Sequence, residues 1–416
     1  MNLAELMGQA YKDSQAQRAA HDYSAQWMKG SPPAKEHLVT IENYMSAPFN
    51  RWGFRHLEKL TRTTSIDRGT QPTSKFSYTL RDLSDFKFQS ATGQSMSLEE
   101  HLSAALTDGF IVFKDNECVF EKYYDGHNER DRHIQFSTTK SLTGLIAEEC
   151  ITKGALDASK PVTYYIPELT ESVFGDATVR QVLDMTIGYD YYEKYDDPLS
   201  NTAQFGYASG LWMPPKGSNF SDNIYDYLKS QTKTAPHGVQ FRYVTACTET
   251  VAWLIERASS RSITDIITEI WQKLGCERDA YFVNDATGRI CCGGGLNSTL
   301  RDISRFALMV ANRGQWNGQQ IISRETVDRI YKGADRSHFA LNEEFSMLLP
   351  GASYRSQWYV YEDESIMAAG IHGQIIYIHG PSRTVIVKQA SHMEAGPILD
   401  LDTLEMLKSL VAFIDS

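Results

Sequence analysis

A serine and a lysine stand three residues apart in Phe136-Ser137-Thr138-Thr139-Lys140, directly ahead of the apolar run 142–147. Leu142, Leu145, Ile146 and Cys150 keep helical spacing, which would anchor that helix in a core, with Lys153-Gly154 as its stop. Residues three apart share a helix face, so the Lys140 amine can reach back one turn to the Ser137 hydroxyl. A serine hydroxyl needs a base before it attacks. Lysine serves as that base when desolvation leaves it neutral, and the free N–H groups and positive dipole end of a helix start favour negative charge developing at Ser137. An N-cap serine followed by a surface lysine would write the same letters. Ser84-Asp85-Phe86-Lys87 and Ser230-Gln231-Thr232-Lys233 match the spacing too, but neither opens an apolar helix.

The length, 416 residues, allows two or three core-bearing units or one large domain with an insertion. With 42% hydrophobic and 22% charged residues the chain reads as an ordinary globular protein. A net charge of -11 and the lack of any Lys/Arg run argue against a nucleic-acid surface. No stretch approaches the length of a membrane span, and Met1-Asn2-Leu3-Ala4-Glu5-Leu6-Met7 has no basic-then-apolar leader. Cys118, Cys150, Cys247, Cys276, Cys291 and Cys292 show no Cys-x-x-Cys spacing and read as reduced, mostly buried thiols. A cytoplasmic location is the expectation.

Residues 1–60 read as polar and partly helical, with Tyr44, Phe49, Trp52 and Phe54 docking on the body. Phe110-Ile111-Val112-Phe113, a turn at Asp115-Asn116, and 119–124 spell a β-hairpin. Helices are expected at 178–185, from Thr245 with Val251, Leu254, Ile255 and Ala258 on one face, and after Ser298. The segment 189–215 reads as an aromatic loop, uncharged from 201 to 215, suited to an apolar acyl or leaving group. Strands at 357–361, 370–378 and 384–390 form a late meander, and 401–414 a closing amphipathic helix. Strands early and late with helices between argue for an α+β fold with a helical insertion.

Rival chemistries are poorly written. No serine has glycine two residues before and after it, which closes the nucleophile-elbow route. There is no His-Glu-x-x-His for zinc. Gly293-Gly294-Gly295 is not completed by Gly-Lys-Ser/Thr or Rossmann spacing, so no nucleotide site is expected.

Three features stand in order: Ser137-Thr138-Thr139-Lys140, Tyr243-Val244-Thr245 at a later helix entry, and His372-Gly373-Gln374 on a late strand. Together with Asp190-Tyr191-Tyr192-Glu193-Lys194-Tyr195-Asp196-Asp197-Pro198 and Gly293-Gly294-Gly295-Leu296-Asn297-Ser298, the chain resembles the serine β-lactamase and penicillin-binding-protein superfamily. Within it, the likeness is to the class C-like branch of family VIII carboxylesterases and 6-aminohexanoate-dimer hydrolases, over 109–390. The resemblance implies a five-stranded antiparallel sheet flanked by helices. It divides the chain into an N-terminal segment, 1–108, an α/β domain, 109–160 with 290–416, and a mostly helical inserted domain, 161–289. It makes Ser137 the nucleophile, Lys140 its base and Tyr243 the proton relay, with a Tyr243 pKa lowered by cationic neighbours such as Lys140. The oxyanion hole would be the N–H groups of Ser137 and Ile375, and Tyr195, Thr245, Asn297, His372 and Gly373 would contact substrate, Gly373 because a missing side chain lets a strand approach it.

Where many relatives carry Lys-Thr-Gly, this chain has His372-Gly373-Gln374, which removes a cation and a hydroxyl and argues against β-lactamase or D-amino peptidase work. Thr245 replaces an asparagine. The expectation is therefore a serine hydrolase acting through an acyl-enzyme on a small ester or amide, ester favoured. It needs no metal or organic cofactor and no nucleic-acid or membrane partner. Amide hydrolysis of the 6-aminohexanoate-dimer type, and a catalytically silent binding protein of the same fold, are the alternatives.

Overall fold

Eight strands make the main sheet of the computed structural model, which describes residues 2–21, 27–191, 193–195, 197–396 and 398–416. Tyr192 and Asp196, part of the 190–198 stretch quoted above, lie outside the described residues. In chain order the strands are β1 (Ser77–Tyr78), β2 (Thr107–Lys114), β3 (Glu117–Tyr123), β4 (Ser353–Arg355), β5 (Trp358–Val360), β6 (Ser365–Gly370), β7 (Gln374–His379) and β8 (Thr384–Ala390). Their spatial order is β4-β5-β6-β7-β8-β2-β3-β1, antiparallel throughout except where β1 runs parallel to β3. Five strands was too few: β4 and β5 extend one edge of the β6-β7-β8-β2-β3 middle, and β1 extends the other.

The hairpin read from 110–124 is β2 and β3, paired from Gly109 opposite Tyr123 to Lys114 opposite Glu117, with a one-residue register shift between Val112 and Phe113. β8 is buried along its whole length and β2 everywhere but Lys114, so residues 110–113 and 385–387 read as apolar runs with no alternation. The helix Leu300–Ala311 packs on β2, β7 and β8, and the helix that begins after Ser137, Thr138–Thr152, packs on β6 and β7.

A second, four-stranded sheet joins Thr63–Ile66, Ala280–Val283, Leu296–Ser298 and His133–Ile134 in that order. It ends three residues before Ser137 and so sets where the nucleophile helix starts. It also pairs the N-terminal segment, through Thr63–Ile66, with Ala280–Val283. Within 161–289 lie the helices Val179–Leu183, Asn201–Ser209, Ile224–Ser230, Thr245–Ser259 and Ile263–Leu274.

Two expectations fail locally. The segment 189–215 contains a helix, Asn201–Ser209, capped by the Ser200 side chain and ended by Gly210 in the left-handed region. The late strand expected at 370–378 is two strands, because His372 (φ 59) and Gly373 (φ 85) fold the chain back between Gly370 and Gln374. The six cysteines are buried free thiols. Tyr44 and Phe54 are buried and Phe49 and Trp52 pack against the core, as expected of the N-terminal aromatics. Among the described residues no helix is long and apolar enough to cross a membrane.

Candidate active site

Phe136, in the left-handed region at φ 41, turns the chain from strand into the helix Thr138–Thr152. Ser137 is the N-cap residue, yet its side chain makes no capping hydrogen bond. That leaves Oγ free for Lys140, whose Nζ lies 2.7 Å away and also donates to the Gly293 carbonyl at 2.6 Å. Lys140 is 1% exposed, while Ser137 remains partly open to solvent. Burial pushes the Lys140 amine down to about 8, against the upward pull of Glu193. Roughly a tenth of the molecules therefore hold a neutral Lys140 at pH 7, with a lone pair that can accept the Ser137 proton. Neither of the two other serine–lysine matches shares this setting: Lys233 pairs with Asp176 at the surface, and Ser84 and Lys87 are exposed.

Tyr243 lines the same cavity as Ser137, and its ring centre is 5.2 Å from Lys140 Nζ. Its pKa moves opposite to expectation: burial, then the Glu193 carboxylate, push it up. The phenol therefore stays protonated near neutral pH and serves as a proton donor.

The glycine run is a packing device. A Cβ on Gly293 would lie 2.8 Å from Thr245 Cγ2 and 3.1 Å from the Glu249 carboxyl. Glu249, fully buried on the Thr245–Ser259 helix, accepts from the Gly293 N–H at 2.6 Å. It thereby fixes the peptide whose carbonyl holds Lys140, and burial pushes its own pKa up to about 7. Glu193 is the other carboxyl that composition and spacing did not single out. It accepts from Tyr195 Oη at 2.7 Å, hydrogen bonds Thr245, and has its pKa raised by burial.

Three cavities meet here. A small one of about 40 Å³ touches Ser137, Lys140, Thr245, Phe205 and Trp212. A second, of about 570 Å³, holds Ser137, Tyr243, Phe345, Leu348 and Tyr359. A third, of about 1020 Å³, is lined by residues 41–42, 44–47, 193–195, 212–216 and 393–396, with Tyr207 and His372. Tyr195 and Glu193 line all three.

The remaining expected contacts divide. Thr245 and Tyr195 are brought to Ser137. Asn297 is fully buried in the small sheet, donating to Gly295 O at 2.9 Å, and lines none of these cavities. His372 is buried between the rings of Phe54 and Phe136 and borders only the third cavity. Gly373 faces the His392 ring, which a Cβ would strike, so its missing side chain serves a turn and not a substrate. Ile375 is buried on β7 opposite Ala369 and lines neither cavity that holds Ser137. The residue in the expected place is Ile371: it lines both, and a Cβ on its neighbour Gly370 would stand 2.9 Å from Ser137 N. The unbroken strand expected at 370–378 put this position four residues too late.

The turn after Ile371 is clamped by Gln374, whose amide donates to Ile371 O (3.3 Å), His372 O (3.1 Å) and Ala390 O (2.6 Å) and accepts from Ala390 N (3.2 Å). Lys388, buried on β8, donates to Gly373 O at 3.4 Å and lies 3.0 Å from His392 Nε2. Among the described residues no group of three His, Cys, Asp or Glu side chains is placed to hold a metal ion.

Known proteins share this chain's sequence and fold. A 6-aminohexanoate-dimer hydrolase of Paenarthrobacter ureafaciens is 32% identical over 363 residues, 86% of this chain and 90% of that one. A Bacillus anthracis structure, described provisionally as a 6-aminohexanoate-dimer hydrolase, superposes with a TM-score of 0.83 at 30% identity, covering 92% of this chain and 98% of its own. A family VIII carboxylesterase shares the fold at 12% identity, with a TM-score of 0.51 over 72% of this chain and 92% of its own. The family described as Beta-lactamase matches residues 97–387, and this chain belongs to it as a serine hydrolase of the β-lactamase-like fold.

Proposed function

We propose that the protein cleaves small linear amides, and esters of the same shape, through an acyl-enzyme on Ser137. The observation that carries this is the buried Lys140 amine, 2.7 Å from Ser137 Oγ and lowered to about 8, with protonated Tyr243 lining the same cavity as Ser137. Neutral Lys140 takes the Ser137 proton as Oγ attacks the carbonyl carbon. The N–H groups of Ser137 and Ile371 receive the oxyanion, each donor worth about 3 kcal/mol of barrier. Tyr243 gives its proton to the departing nitrogen or oxygen and is reprotonated by Lys140, which holds the proton taken from Ser137. Water then enters on the same path and releases the acid.

Amide now stands ahead of ester. A departing amine must be protonated as its bond breaks, and a phenol held protonated beside Ser137 suits that need. The two relatives at 30% identity or more carry an amide-hydrolase description, whereas the carboxylesterase likeness concerns the fold alone. A β-lactam fits poorly: the strand end beside Ser137 reads Ala369-Gly370-Ile371 with no cation, and Lys388 is buried against His392.

Turnover of the linear 6-aminohexanoate dimer, a nitrophenyl acetate and a chromogenic cephalosporin tests this. The expected result is Ser137-dependent hydrolysis of the first two and none of the third. Ester turnover without amide turnover would restore the ester reading, and none at all would favour a binding protein.

A further inference from the structure

Half of the residues lining the largest cavity beside the active site, ten of twenty, lie outside the family-matched residues 97–387. One wall is the N-terminal stretch 41–47 and another is the loop 393–396, facing Trp212 and Met213. The N-terminal wall is fastened in place: Tyr44 Oη donates to Leu211 O at 3.0 Å, and the Trp212 indole N–H points at the Met45 sulfur. Ile41, Met45, Trp212 and Met213 give this cavity apolar lining; of the charged residues bordering it, Glu42, Lys194, Lys216 and Glu394 are exposed, and Glu193 lies deeper, where the three cavities meet.

Which half of a substrate enters follows from the proton donor. Tyr243 must face the leaving group, and it lines only the 570 Å³ cavity. The large cavity shares Met45 and Trp212 with the small cavity on the Lys140 side of Ser137 but not with the 570 Å³ cavity, whereas Ala395 and Gly396 border the 570 Å³ cavity as well. The acyl half is therefore placed against the 41–47 and Trp212 side of the large cavity.

Building on the hydrolase reading above, we propose that residues 41–47, together with Trp212 and Met213, form an acyl-chain subsite that takes a linear, mainly apolar acyl group longer than acetyl. Selectivity for acyl length then resides in part in a segment outside the family-matched residues.

The test compares nitrophenyl octanoate with nitrophenyl acetate, which share a leaving group, and naphthyl acetate with nitrophenyl acetate, which share an acyl group. Ile41→Trp and Met213→Trp narrow the cavity from opposite walls. Met213 is 54% exposed, so its variant does not depend on core repacking, and Ile41→Ala provides the widening counterpart. The octanoate-to-acetate ratio of kcat/KM is expected to fall at least tenfold in both Trp variants and to rise in Ile41→Ala, with the naphthyl-to-nitrophenyl ratio unmoved. An unmoved acyl-length ratio, or a fall in the leaving-group ratio instead, would overturn the subsite while Ser137-dependent acetate turnover still stood. Loss of Ser137-dependent turnover on every substrate would overturn the hydrolase reading and the subsite with it.

Discussion

Replacing Glu193 by glutamine is expected to move the rising limb of the pH–activity profile to lower pH. Among the charges acting on Lys140, Glu193 exerts the largest upward pull on its pKa, opposing burial. An opposite charge at close range is worth on the order of one pKa unit, about 1.4 kcal/mol. Lysine acts as a base only when deprotonated, so activity rises as pH passes the Lys140 pKa, about 8 in the native protein. Removing the anion lowers that pKa, and the limb moves down to roughly pH 7. Glutamine keeps an acceptor for the Tyr195 hydroxyl, which now donates to Glu193 at 2.7 Å, so the local packing is preserved. The second-order rate of Ser137 labelling by a fluorophosphonate, measured from pH 5 to pH 10, reads this limb on the free enzyme. A weaker base also lowers the plateau. A limb that stays in place, or moves to higher pH, would refute the electrostatic role given to Glu193.

Three further substitutions probe the frame around the site. Gln374→Leu removes the clamp on the turn after Ile371 and should lower kcat roughly tenfold to a hundredfold with KM little changed; equal loss in both parameters would contradict a positioning role. Gly144→Ala places a methyl group into the Ser356 carbonyl behind the nucleophile helix and should cost about 3 kcal/mol or more, read by denaturant unfolding. Arg51 is fully buried against Asp108, and its replacement by methionine strands that carboxylate at a cost of about 3–5 kcal/mol, read as a fall in Tm. In the native protein burial opposes ionisation of Asp108, but Arg51, His133 and Arg55 outweigh it and hold its pKa well below the usual value. Its stabilising contribution is thus complete above about pH 4 and lost as pH falls toward the folded pKa, a loss acid titration of unfolding should show and the Arg51 variant should lack.

The nucleophile helix was legible because Leu142, Leu145 and Ile146 declare its buried face and Lys140 falls one turn after Ser137. The sheet middle was legible for a similar reason: its runs are apolar and bounded by turn residues. The return between β6 and β7 was not, since Ile371-His372-Gly373 sits inside an apolar stretch and the left-handed residue His372 carries no glycine signature. That single omission put the expected second donor at Ile375, which lines neither cavity that holds Ser137, and passed over Ile371, which lines both. The helix Asn201–Ser209 was hidden by Thr202, Gly206 and Tyr207, all poor helix formers, although Ser200 and Gly210 mark its ends. Glu193 lay in a charged, tyrosine-rich run that reads as surface, and only tertiary packing brings it beside Lys140. Nor could spacing show residues 41–47 reaching the active-site region, because that contact spans some 170 positions of sequence, as in Tyr44 to Leu211.

Intact-mass analysis after fluorophosphonate treatment, with peptide mapping and a Ser137→Ala control, tests the central claim most directly. A single adduct on Ser137, absent in the control, is the predicted result. An unmodified, folded protein, or an adduct on any other residue, would contradict the acyl-enzyme mechanism.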